Sequence, residues 1–180
     1  MTETRKLIQE TFLDLARSRL PRKITVTDIV NACQINRNSF YYYFDDLPDM
    51  IECTVAEMMD EAIKKENPQD LGELIAIVQR CMQENRNVCL YLYRTPAKNE
   101  LAHYYRRTGN HIVQTYLDQV NYYGMTLTEQ EKSGVLRFYK NILTGLLEDW
   151  LTLNMADDMV DNYREMMTWG LNIIRYKHDL

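Results

Sequence analysis

Residues 25–44, TVTDIVNACQINRNSFYYYF, constrain the fold of this chain more than any other stretch. Thr25 is a preferred residue at a helix start, and a turn falls at Gln34–Ile35. A second short helix begins at Asn36 and runs to about Tyr43, opening with small polar side chains and ending in aromatic ones. The pattern predicts two short helices joined by a tight turn, with the aromatic end of the second helix anchored in a core.

The rest of the chain carries apolar residues at the spacing of amphipathic helices, with no useful stretch of β-alternation and no internal repeat. Pro, Gly and capping residues mark the ends of these helices. The fold class predicted is therefore all-α. The additional helices are expected at about residues 4–18, 47–66, 71–82, 88–93, 97–122, 128–154 and 157–176.

Composition supports a folded, helix-rich protein, because 46% of the residues are apolar and only six are Gly and four Pro. No window approaches a membrane span, and residues 1–10 lack the apolar core of a signal peptide. We therefore expect a cytoplasmic protein that uses no membrane. The chain has four cysteines, Cys33, Cys53, Cys81 and Cys89, which show no close metal spacing and are expected to be free thiols. We therefore predict no metal and no cofactor.

The charge of the chain is unevenly distributed. The net charge is −5, yet residues 1–44 contain seven Lys or Arg against four acidic residues. Residues 45–50 add three Asp, and the remainder is acidic. A mildly basic N-terminal region on an acidic body is able to present a local positive face to phosphates.

The second short helix has the features of a helix that reads DNA. A helix fits the major groove, and Arg37 is able to donate two hydrogen bonds to guanine while Asn38 is able to pair with adenine. Asn36 and Ser39 lie on the same first turn. Phe40, Tyr41 and Phe44 are expected to face inward and fix the angle of the helix.

Phosphate contacts are expected from residues beside that turn. Thr25 and Thr27 bring hydroxyls and helix-start N–H groups, and Tyr42 and Tyr43 bring phenolic hydroxyls. Spacing alone leaves an alternative open, in which residues 36–39 are a solvated helix start and the tyrosines are the edge of a core.

Residues 5–60 resemble the DNA-binding domain of the TetR (tetracycline repressor-like) family of bacterial regulators. The resemblance is carried by an N-terminal helix, by the TVTDIV and INRNSFYYYF segments of residues 25–44, and by Asp49-Met50-Ile51 at the start of a connecting helix. It implies a three-helix helix-turn-helix DNA-binding domain over residues 1–46. It also implies a helical dimerisation and effector-binding domain over residues 47–180.

Two positions depart from the family pattern. Gln34 stands in the turn where the family usually has Gly, often with a positive φ. A residue other than Gly with this backbone conformation costs on the order of 1 kcal/mol of stability. Leu47 stands where the family tends to place a Lys that meets a phosphate, and three Asp flank it. Carboxylates near a duplex repel phosphates, so DNA affinity is expected to be modest and strongly salt-dependent.

The last two long helices are predicted to form a homodimer interface. Gly145 and Gly170 lie in the middle of these helices, where Gly costs about 1 kcal/mol relative to Ala, and close helix approach would explain them. The alternative is that both helices pack only within the monomer. Phe138 is expected on the inward face of the first of them. In a two-fold dimer the two reading helices would meet half-sites roughly 34 Å apart.

The resemblance also implies a small-molecule effector, and the thirteen tyrosines of the chain supply amphipathic side chains for a pocket. The alternative is that these side chains are ordinary half-buried helix contacts. The predicted pocket residues lie in the central helices: Cys89, Tyr93, His103, Tyr104, Tyr116, Tyr139 and Trp150. Arg106–Arg107 are further candidates, for contact with an anionic effector.

The chain contains no GxSxG, P-loop, HExxH or GxGxxG motif, and we predict that it is not an enzyme. The function predicted is a TetR-like homodimeric transcription regulator, a repressor that binds a double-stranded DNA operator and responds to an effector. The alternative is a family member that acts through a protein partner and binds DNA weakly or not at all, which the acidic segment at residues 45–49 motivates.

Overall fold

A computed structural model describes residues 2–18, 24–94, 98–119 and 127–178, with the side chains of residues 91, 98–105 and 171–178 outside the description. Within these residues the protein is all-α, as the sequence predicts. The helices are α1 (Glu3–Ser18), α2 (Val26–Cys33), α3 (Arg37–Tyr43), α4 (Leu47–Glu66), α5 (Leu71–Glu84), α6 (Arg86–Arg94), α7 (Lys98–Gln119), α8 (Glu129–Thr152) and α9 (Met159–His178).

Side-chain caps fix the starts of two helices at the positions that the sequence indicates. Thr25 and Asp28 form a reciprocal capping box at α2, with the Thr25 N–H donating to Asp28 Oδ2 at 2.9 Å. Thr128 and Glu131 form the same box at α8, with a 2.8 Å bond from the Thr128 N–H. That hydrogen bond lowers the pKa of the exposed Glu131 carboxyl.

The turn between α2 and α3 has the left-handed backbone expected at Gln34. Gln34 adopts φ 56° and ψ 38°, and its N–H donates to Asn31 O and Val30 O. Asn67, which ends α4, also lies in the left-handed region with φ 49°. An L side chain is strained in this region, but the turn sets the direction in which α3 leaves α2.

The buried residues in the described part of the chain form two cores. The first core joins α1, α2, α3 and the start of α4 around fully buried aromatic and aliphatic side chains. Val88 and Leu92 of α6 also lie in it, so the predicted C-terminal region contributes to the packing of the N-terminal one. Its largest side chains with less than 2% exposure, or close to it, are Ile8, Phe12, Ile29, Phe40, Phe44 and Met50.

The second core lies among α4, α5, α7, α8 and the start of α9, with Trp150 at 0% exposure. Helix α4 takes part in both cores, since Met50 is buried in the first and Met59 and Ile63 in the second. One continuous helix of 20 residues therefore connects the α2–α3 pair to the rest of the protein. The division into domains at residues 1–46 and 47–180 stays a prediction.

Two aromatic residues do not face inward as expected. Tyr41 is 47% exposed, because the buried pair Phe40 and Phe44 are four residues apart and turn the side chain at position 41 away from the core. Phe138 is 56% exposed on α8, where its neighbour Tyr139 takes the inward position. Both predictions were wrong, because helical spacing does not show whether an aromatic side chain at the edge of a face is covered.

The four cysteines are free, as predicted. Helix length and hydropathy rule out a membrane-spanning helix among the residues that the structure describes.

Replacing Gln34 by Gly is expected to stabilise the protein by about 1 kcal/mol, because the left-handed backbone strain of an L side chain disappears. The free energy of unfolding from urea titration measures this. Gln114→Gly, in the regular helix α7, is the matched control and is expected to destabilise by a similar amount. A loss of stability in Gln34→Gly would contradict the assignment of strain to that turn.

Candidate nucleic-acid interface

The first turn of α3 is exposed and is fixed by its own cap. Asn36 is the N-cap residue, and its Oδ1 accepts hydrogen bonds from the Ser39 N–H at 2.8 Å and from the Ser39 hydroxyl at 3.1 Å. This geometry assigns Asn36 a structural role that the sequence analysis did not single out, although Asn is a preferred N-cap residue. Base contact by the Asn36 carbonyl would have to compete with that cap.

Arg37 and Asn38 are both exposed at the start of α3. Arg37 leans along the helix, with Nη2 3.4 Å from the Tyr41 hydroxyl and its guanidinium carbon 5.9 Å from the centre of the Tyr41 ring. These contacts are long, so the guanidinium is held near the helix surface without being buried. The predicted base-reading residues are therefore together on one accessible turn.

The start of α2 brings a second group of predicted residues to the surface. Thr25 and Thr27 are exposed. The Thr25 hydroxyl and N–H are both engaged with Asp28 in the capping box, so they are less available to a phosphate than expected. The first-turn amides of Val26 and Thr27 have no intrahelical acceptor, and they remain the natural donors at this end of the helix.

The far end of α3 carries the predicted tyrosines and is followed by the acidic segment. Tyr42 is 81% exposed and packs edge to face on the half-buried Tyr43, with ring centres 4.8 Å apart. The carboxylates of the next segment act as caps: Asp46 Oδ1 accepts from the Asp49 N–H at 2.7 Å, and Asp49 Oδ2 accepts from the Asp45 N–H at 3.0 Å. The acidic residues thus have a structural reason to be there.

Polar contacts brace α1 against α4 behind the α3 helix. The Arg5 guanidinium lies 5.2 Å from the centre of the Phe44 ring and pairs with Glu57 of α4. Gln9, which is buried, donates to the other oxygen of Glu57 at 2.9 Å. Sequence reasoning missed these contacts, since residues about fifty positions apart give no local pattern.

A surface groove of about 340 Å³ lies between α4 and α7, lined by residues from Asp49 to Ala56 and from Arg107 to His111; we name it the α4–α7 groove. Arg107 Nε pairs with Glu52 Oε1 at 3.0 Å across it. One helical turn or more further along, His111 Nε2 lies 2.9 Å from Asp60 Oδ1. Arg107 is a predicted contact for an anionic effector, but its partner in the structure is the Glu52 carboxylate.

Four of the five predicted effector residues with described side chains belong to the second core or pack against it, and Tyr93 does not: Cys89, Tyr116, Tyr139 and Trp150. Tyr116 and Tyr139 form an edge-to-face pair with centres 6.0 Å apart, and Trp150 Nε1 donates to the Asp157 carbonyl at 2.8 Å. The Tyr93 hydroxyl lies 2.7 Å from the Thr152 hydroxyl. Burial raises the pKa of the Cys89 thiol to about 12, and its Sγ faces a backbone carbonyl.

None of these residues lines the α4–α7 groove or a second groove of about 440 Å³ between α5 and α9. The side chains of His103 and Tyr104, which complete the predicted set, lie outside the described residues. The aromatic effector pocket stays a prediction. Among the described side chains, no group of three or more His, Cys, Asp or Glu residues is suited to a metal ion.

Comparison with known proteins identifies relatives of this architecture. A family model, TetR_C_8, described as a transcriptional regulator C-terminal region, matches residues 69–168. A solved structure named dihydroxyacetone kinase operon activator DhaS is similar in fold, with a TM-score of 0.56 and 18% identity over 97% of each chain. No curated protein matches the sequence. The family match covers the region after α4, and the structural similarity extends over the α2–α3 pair.

Replacing Asn36 by Ala is expected to destabilise the protein by about 1 kcal/mol, because the first turn of α3 loses its side-chain cap. Asn38→Ala, two positions along the same exposed turn, is the matched control and is expected to change stability little. Urea unfolding followed by circular dichroism measures both. Equal effects of the two substitutions would show that the Asn36 cap adds nothing to stability.

Proposed function

Because this chain belongs to the TetR family of transcriptional regulators, we propose that it is a sequence-specific DNA-binding regulator that acts as a homodimer. We further propose that it represses transcription by occupying a double-stranded operator, and that a small effector changes its DNA affinity. In this proposal the protein is a regulator and not an enzyme, and it acts in the cytoplasm, where the DNA that it binds is located.

The observation that carries the proposal is the exposed first turn of α3, backed by a buried aromatic end. Arg37 and Asn38 are exposed, while Phe40 and Phe44, on the opposite side, have 0% and 2% exposure. A recognition helix requires this division, because its first turn enters the major groove while its other face is held by the protein. Thr27 and Tyr42 are exposed on either side of this turn and are proposed to contact phosphates.

A homodimer through α8 and α9 is supported by exposed aromatic side chains and by glycines with open space beside them on these two helices. Gly134 and Gly145 of α8 and Gly170 of α9 have open space where a Cβ would project. Phe138 and Trp169 are exposed on the same two helices, by 56% and 66%. Apolar surface beside glycines suits close helix packing between two copies, and a two-fold axis would pair the two α3 helices.

Helix α4 is the element through which an effector would act on DNA binding. It contributes Met50 to the core behind α3 and Met59 and Ile63 to the second core, so a change in its tilt moves α3. An effector shifts the equilibrium only if it binds one arrangement better than the other. In a dimer such a movement changes the separation of the two reading helices.

The alternative of a protein-binding co-regulator without DNA binding is not favoured. It was motivated by the acidic segment, and Asp46 and Asp49 accept hydrogen bonds from backbone amides at the start of α4. The similarity to an operon activator shows the fold alone, so repression is a proposal. A reporter gene placed under the selected operator tests repression directly.

Arg37→Ala is expected to weaken binding to the selected operator by about 1–3 kcal/mol, because a bidentate contact to a base is lost. Fluorescence anisotropy with a labelled duplex at fixed salt measures the change. Arg80→Ala, an exposed arginine on α5, removes the same charge far from α3 and is the matched control. Equal affinities of the two variants would remove Arg37 from the interface.

Gly145→Arg is expected to convert the dimer to a monomer, because the long charged side chain fills the space that a partner helix would occupy. A Cβ at this position meets no atom of the described protomer within 4 Å, so the fold is expected to remain. Sedimentation velocity measures the oligomeric state. Tyr42→Arg, at an exposed aromatic away from α8 and α9, is expected to stay dimeric, and a dimer in both variants would place the interface elsewhere.

A further inference from the structure

The α4–α7 groove joins the helix that contacts the first core to the body of the protein. Its volume of about 340 Å³ is at the lower end of the range for small-molecule sites, which runs from about 300 to 1,000 Å³. One wall of the groove comes from the first half of α4 and begins at Asp49. Asp49 follows Phe44, a residue of the first core, by only five positions. A molecule bound here would touch α4 close to α3.

Glu52 lies in the wall of this groove with an unbalanced set of partners. Its side chain is 11% exposed, and Oε1 pairs with Arg107 Nε at 3.0 Å. The other oxygen, Oε2, is buried and accepts no hydrogen bond. A carboxylate oxygen buried without a donor is costly, so a donor that reached Glu52 from the groove would be bound favourably.

The charges around the groove favour a cation. Asp49 and Glu52 both line it, and among the lining residues that the structure describes Arg107 is the single arginine or lysine. His111 also lines the groove, but its Nε2 is directed to the Asp60 carboxylate. The lining thus offers more carboxylate than cationic charge. A neutral or anionic ligand would gain less from it than a positively charged one.

We propose that the α4–α7 groove is a binding site for a small organic cation bearing an ammonium or amidinium group, which pairs with Glu52 in place of Arg107. The Arg107 side chain is 66% exposed whereas that of Glu52 is 11% exposed, so the arginine is the partner that moves. Its departure opens access to the carboxylate, and an amidinium matches the two oxygens with two parallel N–H donors.

This site deepens the proposed function, on which its regulatory consequence rests. The Glu52–Arg107 pair is one of the polar links between α4 and α7, beside Asp60 with His111 and Thr115. A cation that replaces Arg107 removes a link between the two helices. The position of α4 relative to the body then depends on the ligand, and the DNA affinity of α3 changes with it.

The test uses three probes of nearly equal shape: benzamidinium, benzamide and benzoate, each titrated calorimetrically into the full-length protein without DNA. Benzamidinium is expected to bind and the neutral and anionic probes to bind at least about tenfold more weakly, as expected for loss of a charge-assisted hydrogen bond. Glu52→Gln is expected to reduce benzamidinium affinity by about the same factor. Glu61→Gln, an exposed carboxylate on α4 outside the groove, is the matched control.

Arg107→Gln is a second variant, expected to bind benzamidinium more tightly because the competing guanidinium is absent. Circular dichroism confirms that each variant is folded. Equal binding of the three probes, or equal affinity of the Glu52 and Glu61 variants, would overturn the proposal. Because ligand binding is measured without DNA, a failure of the protein to bind an operator would contradict the proposed function and leave the ligand result unchanged. A failure to bind benzamidinium would contradict the ligand site and leave the proposed DNA binding unchanged.

Discussion

The packing of Phe40 and Phe44 behind α3 is the constraint on which the rest of the structure depends. These two rings fill the first core at one turn's spacing, so the opposite side of a seven-residue helix has to face solvent. Helix α3 is too short to be stable by itself. Burial of these two rings supplies the stability that its few backbone hydrogen bonds do not provide. The polar first turn is exposed because the aromatic end is buried.

Helix α4 makes that packing sensitive to the rest of the protein. It contacts the first core through Met50, is tied to α1 through Glu57, and is tied to α7 through Glu52 and Asp60. Hydrophobic contacts join it to both cores, and the polar contact between Glu52 and Arg107 is the one for which a ligand is proposed to compete. The same helix thus serves as a rigid support for α3 and as the part whose position an effector is proposed to change.

Much of the fold follows from local sequence signals, because helix caps and apolar spacing act over three or four residues. Thr25, Thr128 and the turn at Gln34 behave as their patterns predict. Tyr41 and Phe138 do not, because periodicity gives a face but not whether an aromatic at its edge is covered.

The candidate sites were predictable only in part. The exposed turn of α3 was predictable, since its residues are adjacent in sequence, while its contact with DNA stays a prediction. The α4–α7 groove was not predictable, because Glu52 and Arg107, which line it, are brought together by tertiary packing and leave no spacing pattern.

The central claim is that the first turn of α3 reads DNA as one of a symmetric pair. Selection of genomic fragments by the purified protein at low salt tests this claim most directly. We expect enrichment of a two-fold symmetric sequence with half-sites roughly 34 Å apart, the spacing of paired recognition helices. Recovery of no preferred sequence would contradict it.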